Sequence, residues 1–495
     1  MDEEEESTPL HIQRDRRSPW TGWLIYATAV AVLGSSFQFG YNSACINSPV
    51  EDIKKYFKTQ HKPLATYDWS IIVGIFPFGG MLGALVGPTL SNIIGRKRCL
   101  LYNNFIAAIG SISMIVSYYV VSSPLLIIGR IFIGINAGLN TAVVPIYLSE
   151  ISPIQLRGSL GTLNQFGICF GILLGYIFGL KEVLGSGSKW PWLIGFSIVP
   201  AIIQMMTLPF CPRSPRYLLL KRNKEADAVH ALQILRGTND VSEDIAEMRI
   251  EQEQSLREPH VSVTSLFRLK HLRMPLLIGV VMQMSQQLSG INSVIYYSTT
   301  ILDEAHIPGS RYATLGVGII SLIMTGVVVR LVEVLGRRTL MLWGLGGMCI
   351  MYGVITLGFS LKKYDGMDYV AVIGMIVLVI FFQLGPGPIP WFITAEIFSQ
   401  GPRPAACTVA AVVNWLSNFI IGIGFPSLQK ALDPYTFIVF LVLVLGFWLF
   451  TYFLVPETKG RSIDDITRQF RGDSHITLDY SRLSTDDEGD EKTEE

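Results

Sequence analysis

PLLIGVVMQMSQQLSGINSVIYYSTTIL, residues 275–302, runs without a charged side chain until Asp303. A stretch of this length and apolarity can cross a bilayer as a helix. Yet it carries Gln283, Gln286, Gln287 and Asn292. Each side-chain amide brings two donors and an acceptor oxygen, and stranding one in hydrocarbon costs roughly 2–7 kcal/mol. The amides need partners, either on neighbouring helices or on a polar ligand. On an ideal helix Gln283, Gln286, Gln287 and Gly290 fall within about 100° of one face, and Asn292 falls opposite. Asn292 joins them only if the helix breaks at Ser289-Gly290, glycine being where helices most easily give way. Such a break is tolerated at membrane depth when it lines a watery cavity.

The rest of the chain has the same character. Half of its 495 residues are hydrophobic and only 16% are charged, with a mean hydropathy of +0.41. Twelve stretches of bilayer-spanning length are expected, near 23–45, 70–91, 99–120, 124–147, 159–180, 191–211, 275–301, 312–332, 339–360, 369–395, 404–426 and 435–455. Residues 1–18 are charged and lack the apolar core of a cleavable signal. The six cysteines are scattered and the histidines lie outside the spans, so neither a disulfide framework nor a metal site is expected. The net charge of zero gives no sign of a nucleic-acid partner. Lys and Arg gather before the first span, after the second and the eighth, in the middle loop and beyond the last span, which predicts both termini on the cytoplasmic side. Loop 46–69, with four lysines, runs against this, but acidic residues accompany them.

The only long polar stretch within the bundle, 212–274, divides six spans from six. Asn223 is expected to cap a helix that stops at Gly237, with a second helix over about 241–257. The halves share punctuation: "GRKR" starts at Gly95 and "GRR" at Gly336, and Glu150…Arg157 recurs at the same spacing as Glu396…Arg403. Positive-inside anchoring explains the arginines alone, but not a glutamate at matched spacing before each. A duplicated six-span unit does, and such parallel repeats describe the major facilitator architecture. The expected fold is therefore an all-α membrane protein with twelve transmembrane helices in two six-helix halves plus a small cytoplasmic helical layer. Its boundaries are an N-tail (1–22), an N-terminal bundle (23–211), a linker (212–274), a C-terminal bundle (275–455) and a C-tail (456–495).

Other spans add polar and aromatic groups. The fifth carries Asn164 and Gln165, and the eleventh Asn414, Trp415 and Asn418. The tenth contains FFQLGPGPIPW, 381–391, whose three prolines each remove a backbone donor and force a bend between Gln383 and Trp391. Neutral amides, hydroxyls and aromatic faces suit an uncharged polyol such as a sugar. No carboxylate pair, nucleophile triad or phosphate loop points to an enzyme.

At these residues the sequence resembles the facilitative hexose transporters, the GLUT-type sugar porters of the major facilitator superfamily, over nearly all of 20–470. FGYN (39–42), PIYLSEISPIQLRG (145–158), PRSPR (212–216), QQLSGIN (286–292), VEVLGRR (332–338), GPGPIPWF (385–392) and VPETKGR (455–461) carry the resemblance. It implies a facilitative plasma-membrane carrier of hexoses, working by alternating access without a cofactor. It also implies hexose contacts at Gln165, Gln286, Gln287, Asn292, Gln383 and Trp391, with Phe382 and Asn418 nearby. Gln283 opens "QMS", where the glucose-type pattern is Gln-Leu-Ser, which favours glucose. Ser321 stands where the family usually has Asn, and Gln383 where it usually has Glu, and both bear on affinity and epimer preference. Ile93 and Val334 replace family arginines, and Arg213 replaces the Glu of Pro-Glu-Ser-Pro-Arg. The remaining cytoplasmic clasp is expected from Arg96, Arg130, Glu150, Arg157, Glu333, Arg337, Glu396 and Arg403, paired when the carrier opens outward and separated when it opens inward.

Two alternatives remain, a proton-coupled sugar symporter and a sugar receptor that moves nothing. A symporter needs a titrating group in the membrane, typically a carboxylate. Proton-coupled porters that resemble this chain carry FGYD, whereas position 42 here is asparagine. The tail after Arg471 is short and acidic, without an evident docking module for a receptor.

Overall fold

The computed structural model describes residues 20–461, apart from 154–155, 258–260, 305–308, 362, 400 and 460. The expected tails, 1–22 and 456–495, lie almost wholly outside these residues. Among the described residues the chain is helical throughout, with no strand, and eleven helices are long and apolar enough to cross a membrane.

In chain order the spans are Gly22–Ala44, Thr66–Ile94, Arg96–Tyr119, Ser123–Ile151, Leu160–Phe178 and Trp190–Phe210 in the first half. In the second half Ser310–Val332, Arg337–Ser360, Met367–Glu396, Arg403–Leu432 and Thr436–Leu454 follow a divided seventh element. That element consists of Lys270–Leu288 and Ile291–Glu304. The twelve expected spans therefore appear as eleven long helices and one broken pair. The break has a local cause: Gly290 adopts φ +86°, and a Cβ there would meet the Phe440 ring at 2.6 Å. Only glycine combines that left-handed turn with that close approach.

The tenth span is also interrupted. Its first helix ends at Leu384, and the second begins at Ile389. Gly385, Pro386, Gly387 and Pro388 lie between, where missing donors and ring clashes stop a regular ladder. The first span carries a π-helical stretch, Val32–Ser36, beside Gln204 of the sixth.

The halves repeat each other in detail. Gly95 (φ +93°) and Gly336 (φ +86°) separate the second span from the third and the eighth from the ninth. The second and fourth spans pack through glycine: a Cβ on Gly138 would meet the Gly80 carbonyl at 2.0 Å. Small residues of this kind let membrane helices approach backbone to backbone.

Between the halves lie Glu225–Arg236, Ser242–Arg257 and Val263–Arg268. Gly237 ends the first of these helices in the left-handed conformation. The expected cap at Asn223 is not found. Lys224 is the N-cap residue and makes no side-chain cap bond, while Asn223 itself sits at φ +52°. Arg236 ties this layer to the first half, donating to the Ile151 carbonyl (2.9 Å) and pairing with Asp244 (3.1 Å).

Candidate functional site

The break at Gly290 turns Asn292 back toward the glutamines. Asn292 Nδ2 donates to Gln287 Oε1, and Gln287 Nε2 donates to Asn414 Oδ1 of the eleventh span (2.9 Å) and to Gln286 Oε1 (3.1 Å). Asn414 Nδ2 donates to Gln283 Oε1 (2.7 Å) and to Gln286 Oε1. Gln286 Nε2 reaches the Gly387 carbonyl, exposed by the break in the tenth span. Five amides thus share one buried cluster, none more than 9% exposed. In this arrangement the amides bond one another and a freed carbonyl, so interhelical pairing is present. The cluster keeps one spare group: Gln283 Nε2 is buried without a partner. An unmade hydrogen bond of this kind costs about 1–3 kcal/mol.

A second cluster joins the halves around the Cys169 sulfur of the fifth span. It accepts from Gln165 Nε2 (3.6 Å), Gln383 Nε2 (3.5 Å) and Thr325 Oγ1 (3.2 Å). Two expected sugar contacts from opposite halves therefore meet on one thiol. Asn418 accepts from Tyr296 OH (2.9 Å), and Phe382 is buried beside Gln383. Trp391 is half-buried on the second helix of the tenth span. Ser321 stands apart from this pattern. Its hydroxyl donates to the Val317 carbonyl one turn back on its own helix.

The expected clasp is rearranged. Arg96 meets Glu150 through Nε (3.1 Å) and Nη2 (2.8 Å), and Arg337 meets Glu396 through Nε (3.1 Å) and Nη2 (2.9 Å). Both pairs lie on the face that carries the linker, and each stays within its own half. They join the start of one span to the end of the next, so relative movement of the halves need not part them. Ser214 donates to Glu150 (2.6 Å) and Thr458 to Glu396 (2.5 Å), so a hydroxyl completes each pair. Among the described residues Arg403 joins no glutamate. It donates to the Phe398 carbonyl at 3.1 and 2.9 Å.

Arg130 does not belong to this face. It lies on the same helix as Glu150, about 30 Å away at ~1.5 Å per residue. It is fully buried, donates to the Asn42 (2.9 Å) and Ile72 (3.3 Å) carbonyls, and covers the Phe76 ring at 4.6 Å. The side chains of Arg157 and Glu333 lie outside the described residues.

The halves meet at mid-depth, where Trp415 packs on Phe39 and Phe76, and on the face away from the linker. There Arg311 pairs with Asp52 across the halves (2.8 Å) and donates to the Gly185 (2.6 Å) and Gly179 (3.1 Å) carbonyls. Asn47 adds bonds to the Ile295 carbonyl and to Ser298 (2.8 Å each), and Tyr176 donates to the same carbonyl (3.0 Å).

Sequence reasoning singled out neither Cys169 nor Thr325, because a thiol and a hydroxyl in an apolar run carry no visible signal. Asn414 had one, standing one turn before Asn418. Ser214 and Thr458 had one too, in the matched Pro-x-Ser/Thr of PRS (212–214) and PET (456–458).

Residues 27–470 match the family described as "Sugar (and other) transporter". The solute carrier family 2, facilitated glucose transporter member 3 of Oryctolagus cuniculus is 49% identical over 463 residues, covering 91% of this chain and 93% of the rabbit protein. The Homo sapiens member 3 is 48% identical over 462 residues, with the same coverage. Among solved structures, a partially occluded inward open conformation of the xylose transporter XylE from E. coli has a TM-score of 0.76 at 26% identity. It covers 89% of this chain and is itself covered completely.

Proposed function

The chain belongs to the sugar transporter family, and we propose from that premise how it handles its substrate. It is a facilitative hexose transporter of the major facilitator fold. Glucose is the preferred hexose and the plasma membrane the site of action, with the linker face and both termini cytoplasmic. The excess of Lys and Arg on that face supports this orientation.

The observation that carries the mechanism is the amide cluster at the broken seventh element. Gln283, Gln286, Gln287, Asn292 and Asn414 offer donors and acceptors at mid-depth, and Gln283 Nε2 is already unpaired. A hexose presents a ring of hydroxyls that donate and accept, so it can replace amide–amide bonds one for one. Gln165 and Gln383 approach from both halves and can release the Cys169 thiol, a weak acceptor, for a stronger hydroxyl. Phe382 and Trp391 supply apolar faces for the sugar's C–H groups. The breaks at Gly290 and Gly385–Pro388 give two elements that can swing over the bound sugar from one side and release it to the other.

The transport needs no proton. Asn42, which cannot titrate, donates to the Gln38 carbonyl (2.8 Å) and accepts from Ser197 (2.8 Å), so its amide serves helix packing. Labelled glucose in proteoliposomes should reach equal concentrations on both sides, with an imposed pH gradient leaving the endpoint unchanged. Competition by other hexoses tests the preference. Uphill accumulation abolished by a protonophore would overturn the uniport mechanism.

A further inference from the structure

We propose that the linker face holds a binding site for a phosphate group at the start of the third span. A cavity of about 180 Å³ opens there, lined by Arg96, Lys97, Arg98, Arg213, Arg222 and Lys224, with no acidic side chain in its wall. Some of this charge is already engaged. Arg96 is matched by Glu150, and the Lys97 ammonium donates to the Pro209 and Cys211 carbonyls at 2.7 Å each. Arg222 donates to Tyr217 OH (2.9 Å) and the Ile93 carbonyl (3.0 Å), and Lys224 lies 3.8 Å from exposed Asp227. Carbonyls and a phenol carry no net charge, so Lys97 and Arg222 remain uncompensated cations. Arg98 and Arg213 are exposed and have no ion-pair or hydrogen-bond partner among the described residues.

The second half of the same molecule indicates what such a place holds. At the start of the ninth span, the Glu457 carboxylate accepts the backbone N–H groups of Arg337 (2.9 Å) and Arg338 (3.1 Å). Pro456-Glu457-Thr458 is the counterpart of Pro212-Arg213-Ser214, because Thr458 and Ser214 bond the matching glutamates, Glu396 and Glu150. Arg213 therefore stands where the second half has its anion. The 24-residue helix Arg96–Tyr119 still points its positive N-terminal end at the spot. A cation cannot accept those N–H groups, and it adds to the local repulsion. A phosphate group restores what Glu457 supplies in the second half, with more charge and more acceptor oxygens.

Exposed Ile93 and Phe210 nearby place the cavity beside apolar surface. The phosphate can therefore belong to an acidic lipid headgroup or to a soluble phosphate compound. The inference is independent of which hexose is carried.

The test is thermal unfolding of the purified full-length protein. One arm adds inorganic phosphate, with chloride at equal ionic strength as control. The other uses phosphatidylcholine nanodiscs with and without phosphatidic acid. A saturable rise in the unfolding midpoint is expected in at least one arm. A rise only with phosphatidic acid assigns a lipid headgroup, and a rise with inorganic phosphate assigns a soluble source. Arg213→Glu, which rebuilds the arrangement of the second half, should weaken the binding about tenfold or more, and Arg98→Gln about fivefold. The Arg213→Glu midpoint without either probe should equal or exceed the parent's, which separates lost binding from lost folding. No saturable rise in either arm, or an equal rise in Arg213→Glu, would overturn the proposal.

Discussion

The two faces of this carrier use ion pairs differently. On the face away from the linker, Arg311 and Asp52 join one half to the other. On the linker face, Arg96–Glu150 and Arg337–Glu396 each join two spans of the same half. A pair between the halves breaks whenever the halves part, so it can act as a gate. A pair within a half survives that motion, so it acts as a brace. The same residue types thus do two jobs, and the partner's position in the fold decides which.

The brace of the first half should give the largest effect when broken. Arg96 and Glu150 have side chains only 9% and 10% exposed. Glu150→Gln leaves a buried guanidinium without its counter-charge, expected to cost about 3–5 kcal/mol. The matching pair, with side chains 21% and 30% exposed, is better solvated. Glu396→Gln should cost about half as much or less. Thermal unfolding of the two variants measures the contrast, and equal losses would remove the distinction between the halves.

Next comes the amide cluster between the faces, the proposed sugar site. Gln287→Leu removes the link among Asn292, Gln286 and Asn414, and should weaken glucose binding by about 1–3 kcal/mol. Equilibrium binding reads this directly. Unchanged affinity in a misfolding protein would show that the amides only hold helices together.

The Arg311–Asp52 pair between the halves should respond more modestly. Arg311→Gln removes the link to Asp52 and two carbonyl contacts, and should shift the balance of conformations toward the form open on that face. About 1 kcal/mol, near fivefold in population, is expected for a partly solvated pair. Accessibility of a single cysteine placed beneath Arg311 measures the shift. Asp52→Arg combined with Arg311→Asp should restore part of the parent behaviour if charge pairing is the cause.

Arg403→Ala should do least. Its guanidinium caps the Phe398 carbonyl and meets no glutamate among the described residues, so a stability loss of about 0.5–1.5 kcal/mol is expected, without a change in conformational balance. A large change in labelling at the inner mouth would return Arg403 to the gate.

Much of the architecture is legible in the sequence. Long uncharged runs located the spans, and matched glycine, arginine and glutamate landmarks exposed the duplication. The break at Ser289-Gly290 was legible because Asn292 otherwise pointed away from the glutamines. Other features were not. Arg130 was expected at the inner mouth from the family resemblance, but its place on the helix that ends at Glu150 carries it across the membrane's depth. The direction of the Ser321 hydroxyl, which donates to the carbonyl one turn back on its own helix, was not legible either. A sequence gives a residue's place along a helix, but not the rotamer and neighbours that decide where its polar atoms go.

The sequence by itself determined what must be satisfied: which segments avoid water, where the chain turns, and which buried amides and charges require partners. Those demands follow from hydrophobic length, glycine and proline backbone geometry and desolvation cost, all local properties. Only the tertiary structure decided who satisfies whom. It matched Gln287 with Asn414, set the thiol of Cys169 between two halves, and paired Arg96 within one half while it paired Arg311 across both. Pairing energy depends on distances between residues remote in the chain, and packing alone sets those distances.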